Sequence, residues 1–266
     1  MELSCVILCW NSKRHIGACL DSLLAALPAA LSPYEIFIVD NGSTDGSQQI
    51  VAQYQADHPD IVKPIFLKTN TGTTYSRNLA LKQAQGRYVA ILDSDIVVAP
   101  GTFQPLIELL SSSLETAMVV PRLVYASGNF QKSIDTFPTL CSKAYRYLFL
   151  KRLEQKAECE DGRSRPVDYA ISAFWLLRRE TLERVGLLDE NIFYAPEDVD
   201  YCLRIWRAGL RIVYAPQVTV IHDAQEISRG FKINRAVLAH VSGLFYFFKK
   251  HGYWLKRPRF IDETTR

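Results

Sequence analysis

The sequence contains no uncharged apolar run near the roughly 18 residues that a membrane-spanning helix needs. Its longest, Ala236–Phe248, has 13 residues and includes His240. The first residues, Met-Glu-Leu-Ser-Cys, lack the basic start and extended apolar stretch of a signal peptide. Cysteine occurs at 5, 9, 19, 141, 159 and 202, without a Cys-x-x-Cys pair or a Cys/His cluster of zinc spacing. Reduced thiols in a reducing compartment are therefore expected, with Cys5 and Cys9 acting as small hydrophobes in an apolar run. Together these absences point to a cytoplasmic protein. Also missing are Gly-x-Gly-x-x-Gly and Gly-x-x-x-x-Gly-Lys-Ser/Thr, so neither a dinucleotide fingerprint nor a P-loop is available to hold phosphate. Acidic residues are absent from Ile227 to Ile261, where eight Lys or Arg fall. The remainder carries 23 basic and 28 acidic residues, so the formal net charge of +3 conceals an acidic body and a basic, aromatic C-terminal segment.

What is present fits a folded chain. Of the 266 residues, 48% are hydrophobic and 22% charged, enough apolar side chain to offset the entropy of ordering. That excludes a disordered, collagen-like or coiled-coil chain. In the first half, short apolar runs at Leu3–Cys9, Glu35–Val39, Ile65–Lys68 and Tyr88–Leu92 read as strands. Helical periodicity separates them: from a Ser12 cap to about Leu27, from the loop Asn41–Ser47 to about Asp57, and over Thr74–Ala84. Alternation of this kind implies βαβ units in a mostly parallel central sheet flanked by helices, with ligands held beyond the carboxyl ends of the strands. The second half is less regular. Helices are expected at Phe103–Ser113, Arg179–Val185 and Glu197–Ala208, and strands at Ala117–Val120, Ala170–Arg178, Arg211–Tyr214 and Val218–Ile221. Ser127–Arg165 is a polar-aromatic stretch without a clear period. Without a repeat or flexible linker, the expected organisation is one α/β domain over residues 1–226 with a helical extension, 227–266, packed on it.

Three polar clusters follow apolar runs, at Asn11, Asp40 and Asp93, and so fall on one rim of such a sheet. Asp93-Ser94-Asp95 places two carboxylates one residue apart at a strand end, where they offer hard oxygen ligands to a divalent cation and leave positions open for diphosphate. On spacing alone the same residues also suit a solvated turn. Asp40–Ser47 reads either as a polar turn in which Thr44 or Asp45 caps the next helix, or as a loop that binds a nucleobase and turns backbone amides toward phosphate. Glu197-Asp198 is a second carboxylate pair. It opens a predicted helix, whose first turn favours acidic residues in any case.

The ordered set of motifs resembles family 2 glycosyltransferases of the GT-A fold, the nucleotide-diphospho-sugar transferase fold. Val39-Asp40-Asn41-Gly42-Ser43-Thr44-Asp45 is followed by Asn70-Thr71-Gly72 with Arg77-Asn78, then by Asp93-Ser94-Asp95. Ser172-Ala173-Phe174-Trp175-Leu176-Leu177-Arg178-Arg179 comes next, then Phe193–Arg204 and a late His222. The resemblance spans residues 3–222, and its later motifs are most similar to the rhamnosyltransferase-like branch that builds bacterial surface polysaccharides. It implies metal-dependent, inverting transfer of a sugar from a pyrimidine nucleotide, dTDP-rhamnose or a UDP-sugar, to a saccharide or polyprenyl-linked acceptor. It further implies that Asp40 accepts from the pyrimidine N3–H and that Asn41, Asn70 and Ser94 sit in the donor site. Asp93 would contact the ribose and share with Asp95 the metal, Mg²⁺ or Mn²⁺. His222 completes the metal site or is an ordinary polar residue at a strand end; Arg77 faces the diphosphate or is a surface arginine. Inverting transfer needs one base for the acceptor hydroxyl. Asp198 is the expected base, Glu197 its substitute or an acceptor-positioning residue, and Asp200 a support for the helix. Trp175 is either an apolar wall for a sugar or core.

The C-terminal segment mixes basic residues at 229, 232, 235, 249, 250, 256, 257 and 259 with Phe231, Phe245, Tyr246, Phe247, Phe248, Tyr253 and Trp254. Its aromatics are expected to pack on the catalytic body and its charges to meet anionic lipid at the inner face of the cell membrane. Nucleic acid is not an expected partner, since no RNA- or DNA-binding module accompanies the basic residues. Two other functions share parts of this pattern. A sugar-phosphate nucleotidyltransferase needs a glycine-rich, basic N-terminal loop, and Trp10-Asn11-Ser12-Lys13-Arg14 has no glycine before Gly17. Against a non-catalytic nucleotide-sugar-binding module stands the intact set of Asp40, Asp93, Asp95, Glu197 and Asp198.

Overall fold

A computed structural model describes residues 1–27, 31–140, 142, 162–223 and 235–260. Strands and helices alternate at first: β1 (Leu3–Cys9), α1 (Ile16–Ala26), β2 (Tyr34–Asp40), α2 (Ser47–Asp57), β3 (Val62–Phe66), α3 (Thr73–Leu81) and β4 (Tyr88–Asp93). Then come β5 (Ile96–Val97), α4 (Phe103–Ser111), β6 (Thr116–Val124), β7 (Phe130–Gln131), β8 (Ile134–Asp135), β9 (Arg165–Pro166), β10 (Tyr169–Ala170) and β11 (Phe174–Arg178). The chain continues through α5 (Arg179–Val185), α6 (Glu197–Arg207), β12 (Arg211–His222) and α7 (Arg235–His251). The main sheet runs β3-β2-β1-β4-β11-β6-β12-β5, with β7 beside β6 and β9 beside β12; β8 and β10 form a separate ribbon.

The sheet is mixed, with most of its paired residues in parallel ladders. β3, β2, β1 and β4 are parallel, as helical crossovers dictate. β11 instead enters antiparallel between β4 and β6. Its N-terminal end therefore meets the carboxyl end of β4, and the Asp93 amide donates to the Ala173 carbonyl at 3.0 Å. The register aligns the rim. Cys9 faces Asp40 across β1 and β2, Leu8 faces Asp93 across β1 and β4, and His222 faces Ile96 across β12 and β5.

Both faces of the sheet are covered, which is why its strands read as continuous apolar runs. On one face Leu3, Cys5, Ile7, Ile36, Ile38, Ala90 and Leu92 pack with Ile16, Leu20 and Leu23 of α1 and with Phe103 and Leu106 of α4. On the other, Val6, Phe37, Val39, Val89 and Ile91 pack with Ala80 and Leu81 of α3, with α6, and with Phe247 and Phe248 of α7. Each of those two phenylalanines is fully buried, which contributes about 2–3 kcal/mol. By contrast, Phe245 of the same helix is 62% exposed. Cys5, Cys9, Cys19 and Cys202 are buried thiols, and burial pushes Cys5 and Cys9 up to about 12. Cys141, Cys159, Arg229, Phe231 and Lys232 lie outside the described residues, as do most of the 127–165 stretch and the 226/227 boundary.

Several expected elements differ in extent. α1 begins at Ile16 because Ser12 does not cap it. The Ser12 carbonyl accepts from His15 and Ile16, and its hydroxyl pairs with Ser94 Oγ at 2.6 Å. Asn11 takes a left-handed backbone (φ 50°), from which its side-chain carbonyl accepts from Thr44 while its own amide donates to Ser43 Oγ. This stitches the loop after β1 to the loop after β2. Asp45 precedes α2 and accepts the Ser47 amide, with Gly46 between them at φ 101°. The expected strand 170–178 is broken at Ile171–Ala173, which keeps Ser172 at the rim. The two strands expected over 211–221 are one, β12, with a register shift between Ala215 and Thr219 around Pro216, which has no amide hydrogen to give a ladder.

Candidate active site

Asp93 ends β4 and Asp95 follows two residues later. His222 ends β12, and the strand pairing is extended by the Asp223 amide donating to the Asp95 carbonyl at 3.0 Å. Their ligand atoms all lie within 4.8 Å of one another, the one His/Cys/Asp/Glu group of this kind among the described residues. His222 Nε2 stands 3.3 Å from Asp95 Oδ1 and 3.9 Å from Asp93 Oδ2, while Nδ1 is 2.8 Å from Gln131 Oε1. An amide oxygen only accepts, so Nδ1 carries the hydrogen and Nε2 is the atom turned toward the carboxylates. Burial pulls the His222 pKa down, but the Asp95 hydrogen bond and the surrounding carboxylates override it and raise it. Burial also lifts Asp93, opposed by Arg77 and reinforced by Asp95. Two acids pressed together with an imidazole drawn toward protonation is a corner with surplus negative charge. Two carboxylates and one imidazole suit Mg²⁺ or Mn²⁺, so the residues present fit the expected metal.

Asp40, at the end of β2, is buried. Its Oδ1 accepts from the Ser43 amide at 2.9 Å and Gln48 Nε2 at 2.7 Å, and its Oδ2 is buried without a hydrogen-bond partner. An unsatisfied buried carboxylate oxygen is costly unless a ligand supplies the donor. Asn41 donates to Asn70 Oδ1 and the Gly72 carbonyl, and its own Oδ1 accepts from Thr71. Its amide is thus used in joining the loops after β2 and β3. Asn70, exposed, also accepts the Gly72 amide. The Ser94 hydroxyl is engaged with Ser12, so Ser94, like Asn41, fixes loops at the rim.

Arg77 requires a correction. It is only 1% exposed, so it is not the surface arginine that the sequence allowed. Its Nη2 pairs with Asp93 Oδ1 at 2.5 Å, and its Nη1 donates to Ser172 Oγ at 2.9 Å and lies 3.6 Å from Glu197 Oε1. Ser172 Oγ in turn donates to Glu197 Oε1 at 2.9 Å. Arg77 therefore joins the cluster of Asp93, Asp95 and His222 to the acidic pair. Glu197 is nearly fully buried at the start of α6. Burial and the neighbouring Asp198 push its pKa up to about 8, against Arg77 and Ser172. Asp198 is half-buried and its Oδ1 accepts the Val199 amide. Asp200 turns away from the rim, to Arg204, Lys250 and His251.

Trp175 is also corrected. It is fully buried, stacked on Tyr201 with ring centroids 5.7 Å apart, and its Nε1 donates to the Ala170 carbonyl. It has no face left for a sugar because α6 packs over it, Tyr201 against its ring. Sequence reasoning missed Ser172 and Gln131 as partners of the site. Ser172 had a signal, a polar residue just before an apolar run; Gln131 had none.

The description Glycosyl transferase family 2 matches residues 4–186, more than half of the chain. This chain belongs to glycosyl transferase family 2. An uncharacterised glycosyltransferase of Nostoc sp. is 36% identical over 237 residues, 89% of this chain and 66% of that protein. The N-acetylglucosaminyl-diphospho-decaprenol L-rhamnosyltransferase of Mycobacterium tuberculosis is 25% identical, over 91% of this chain and 84% of that one. Among solved structures, a Pyrobaculum calidifontis mannosyltransferase in complex with GDP-Man and Mn²⁺ is similar with a TM-score of 0.64 at 20% identity, covering 97% of this chain and 66% of that one. GalNAc-T7 with UDP, GalNAc and Mn²⁺ gives 0.65 at 15% identity, covering 96% and 55%. At such identities the structural likeness speaks for the fold, which is the GT-A fold expected of the family. The chain spans about two thirds of the length of the Nostoc and Pyrobaculum proteins.

Proposed function

We propose that this family 2 member catalyses metal-dependent, inverting transfer of a sugar from a pyrimidine nucleotide-sugar, dTDP-rhamnose or a UDP-sugar, to a saccharide or lipid-linked acceptor in cell-surface polysaccharide synthesis. The observation that carries this reading is the convergence of Asp93, Asp95 and His222 on the rim that also holds the unpartnered Oδ2 of Asp40. Asp40 takes the base N3–H, Asn70 borders the donor loop, and Asp93, Asp95 and His222 hold Mg²⁺ or Mn²⁺. When bound, the metal neutralises charge on the diphosphate leaving group. Asp198 receives the proton of the acceptor hydroxyl as its oxygen attacks the anomeric carbon; it is half-exposed and thus reachable. Glu197, buried and inclined to keep its own proton, positions the acceptor rather than serving as base. The activity of the M. tuberculosis relative supports a polyprenyl-linked acceptor and the rhamnosyl donor. Exposed Val241, Phe245 and Leu255, near the basic residues Lys249, Lys256 and Arg259, support a peripheral stay at the inner membrane face by an extension reaching from 227.

The test incubates purified protein with a panel of nucleotide sugars, with and without Mn²⁺, and follows binding and slow hydrolysis. Metal-dependent binding of a pyrimidine donor is expected; none for any nucleotide sugar sinks the reading. Asp198→Asn should keep donor binding and lose about 100-fold or more in turnover, and unchanged turnover would remove Asp198 from its role.

A further inference from the structure

The segment Leu188–Pro196, which delivers the chain to Glu197 and Asp198, is held from two sides. On the donor side, the Thr73 amide donates to the Phe193 carbonyl at 2.7 Å, and Thr74 Oγ1 donates to that of Ile192 at 2.7 Å. Asn78 also exchanges hydrogen bonds with the Leu188 backbone. On the far side stands α7. Gly243 lies so close to the segment that a Cβ there would overlap the Ala195 carbonyl oxygen and sit 3.3 Å from Pro196 Cδ. One turn on, Tyr246 donates to Asp189 Oδ2 at 2.9 Å, and Lys250 Nζ reaches the same oxygen at 2.7 Å. Lys250 also bridges to Asp200 Oδ1 at 2.6 Å, within the first turn and a half of α6. His251 Nε2 donates to that oxygen at 2.8 Å, its Nδ1 meeting Arg207 Nη1 at 2.9 Å.

We propose that α7 is part of the frame of the catalytic site: Gly243, Tyr246, Lys250 and His251 are positioning residues that set where Glu197 and Asp198 stand. None of the four touches the metal corner or the Asp40 pocket in the contacts described above. Asp189 and Asp200 bracket the acidic pair in sequence, and a single ammonium group ties both to one helix. The pair is thereby fixed with respect to a helix that follows it by dozens of residues. The opposite hold, from α3, fixes it with respect to the donor loops. A shift of α7 therefore moves the acidic pair against the donor, and displacements of about 1 Å are enough to cost a hundredfold in rate. This inference rests on the reading of Asp198 and Glu197 as acceptor-side groups.

The experiment uses the full chain with Lys250→Met, Lys250→Arg and Gly243→Val. Each is assayed for Mn²⁺-dependent binding of dTDP and UDP, for kcat and KM of nucleotide-sugar hydrolysis, and for hydrogen exchange in peptides covering 188–204 and 88–97. Lys250→Met should lower kcat about 10- to 100-fold. KM and nucleotide affinity should stay within about twofold, and exchange should quicken in 188–204 but not in 88–97. Lys250→Arg should recover most of kcat, because it restores a cation that reaches both carboxylates. Should Gly243→Val fail to fold, the lysine pair still decides. Unchanged kcat in Lys250→Met, nucleotide affinity falling in step with kcat, unchanged exchange in 188–204, or no recovery in Lys250→Arg would each overturn the inference. Asp198→Asn separates the two claims: if it keeps full turnover, the acceptor-side reading falls and this inference with it. If Asp198→Asn is inactive and Lys250→Met is not, only the positioning role is lost.

Discussion

Glu35 and Glu197 are both buried, at opposite rims of one sheet, and their chemistry diverges. Glu35 lies near the start of β2, where Ser4 Oγ and the Gln85 amide donate to one oxygen and Lys63 Nζ to the other. Burial raises its pKa, but these donors outweigh burial and lower it. Glu197 lies at the other rim beside Asp198, and its helpers are Ser172 and Arg77, the second of which is shared with Asp93. Its pKa ends at about 8. The difference teaches where the fold leaves electrostatic work undone. At the amino rim every oxygen is answered and the carboxylate is scaffold. At the carboxyl rim acids are crowded with too few cations, and a ligand's charge is needed to settle them.

The largest way to break this contrast is to remove surplus charge from the carboxyl rim. Asp95→Asn should lower nucleotide-sugar turnover about 100-fold or more. It should also abolish the rise in Tm that Mn²⁺ gives the wild type, as calorimetry reads; an undiminished Mn²⁺ shift would take Asp95 out of the metal corner. Next comes the pH dependence of stability, where the two glutamates should act with opposite signs. Glu197 has a folded pKa above its unfolded value of about 4.3, so its contribution is full at low pH and is lost as pH rises toward about 8. Glu197→Gln should therefore gain stability on the wild type at pH 8 and above, in urea titrations, while losing turnover. Glu35 has a lowered folded pKa, so its contribution is present above about 4.3 and lost as pH falls through the folded value. Glu35→Gln should cost about 1–3 kcal/mol at pH 7, converge with the wild type in acid, and leave turnover per folded molecule unchanged. The smallest effect is expected from Ser172→Ala, about 1 kcal/mol, with the Glu197 titration moving higher as one donor is lost. A Glu197 titration that stayed put would show that Ser172 is not what restrains it.

Much of the parallel half was legible in the sequence because strands buried on both faces must be apolar throughout, and the polar residues that stop them mark the rim. Asp40, Asp93 and Asp95 were found on that ground, and the family resemblance supplied His222, Glu197 and Asp198. What stayed hidden depends on partners distant in sequence. Arg77 looks like any helix arginine until β11 brings Ser172 beneath it. Trp175 reads equally as a wall or as core until α6 lays Tyr201 over its ring. The antiparallel sense of β11 itself follows a stretch whose pattern carries no period, so periodicity could not set its direction.

His222 belongs to β12, the last strand of the main sheet, and this has a consequence for how the molecule is made. A ribosome-bound chain that has emerged only as far as β4 already holds Asp40, Asp93 and the apolar runs of a four-stranded parallel unit, and N-terminal parts fold first during synthesis. The metal corner cannot close until β12 has been translated and paired with β5. The cation binding proposed for this corner should thus arrive late in biogenesis, joining the early-made half of the chain to the late-made one.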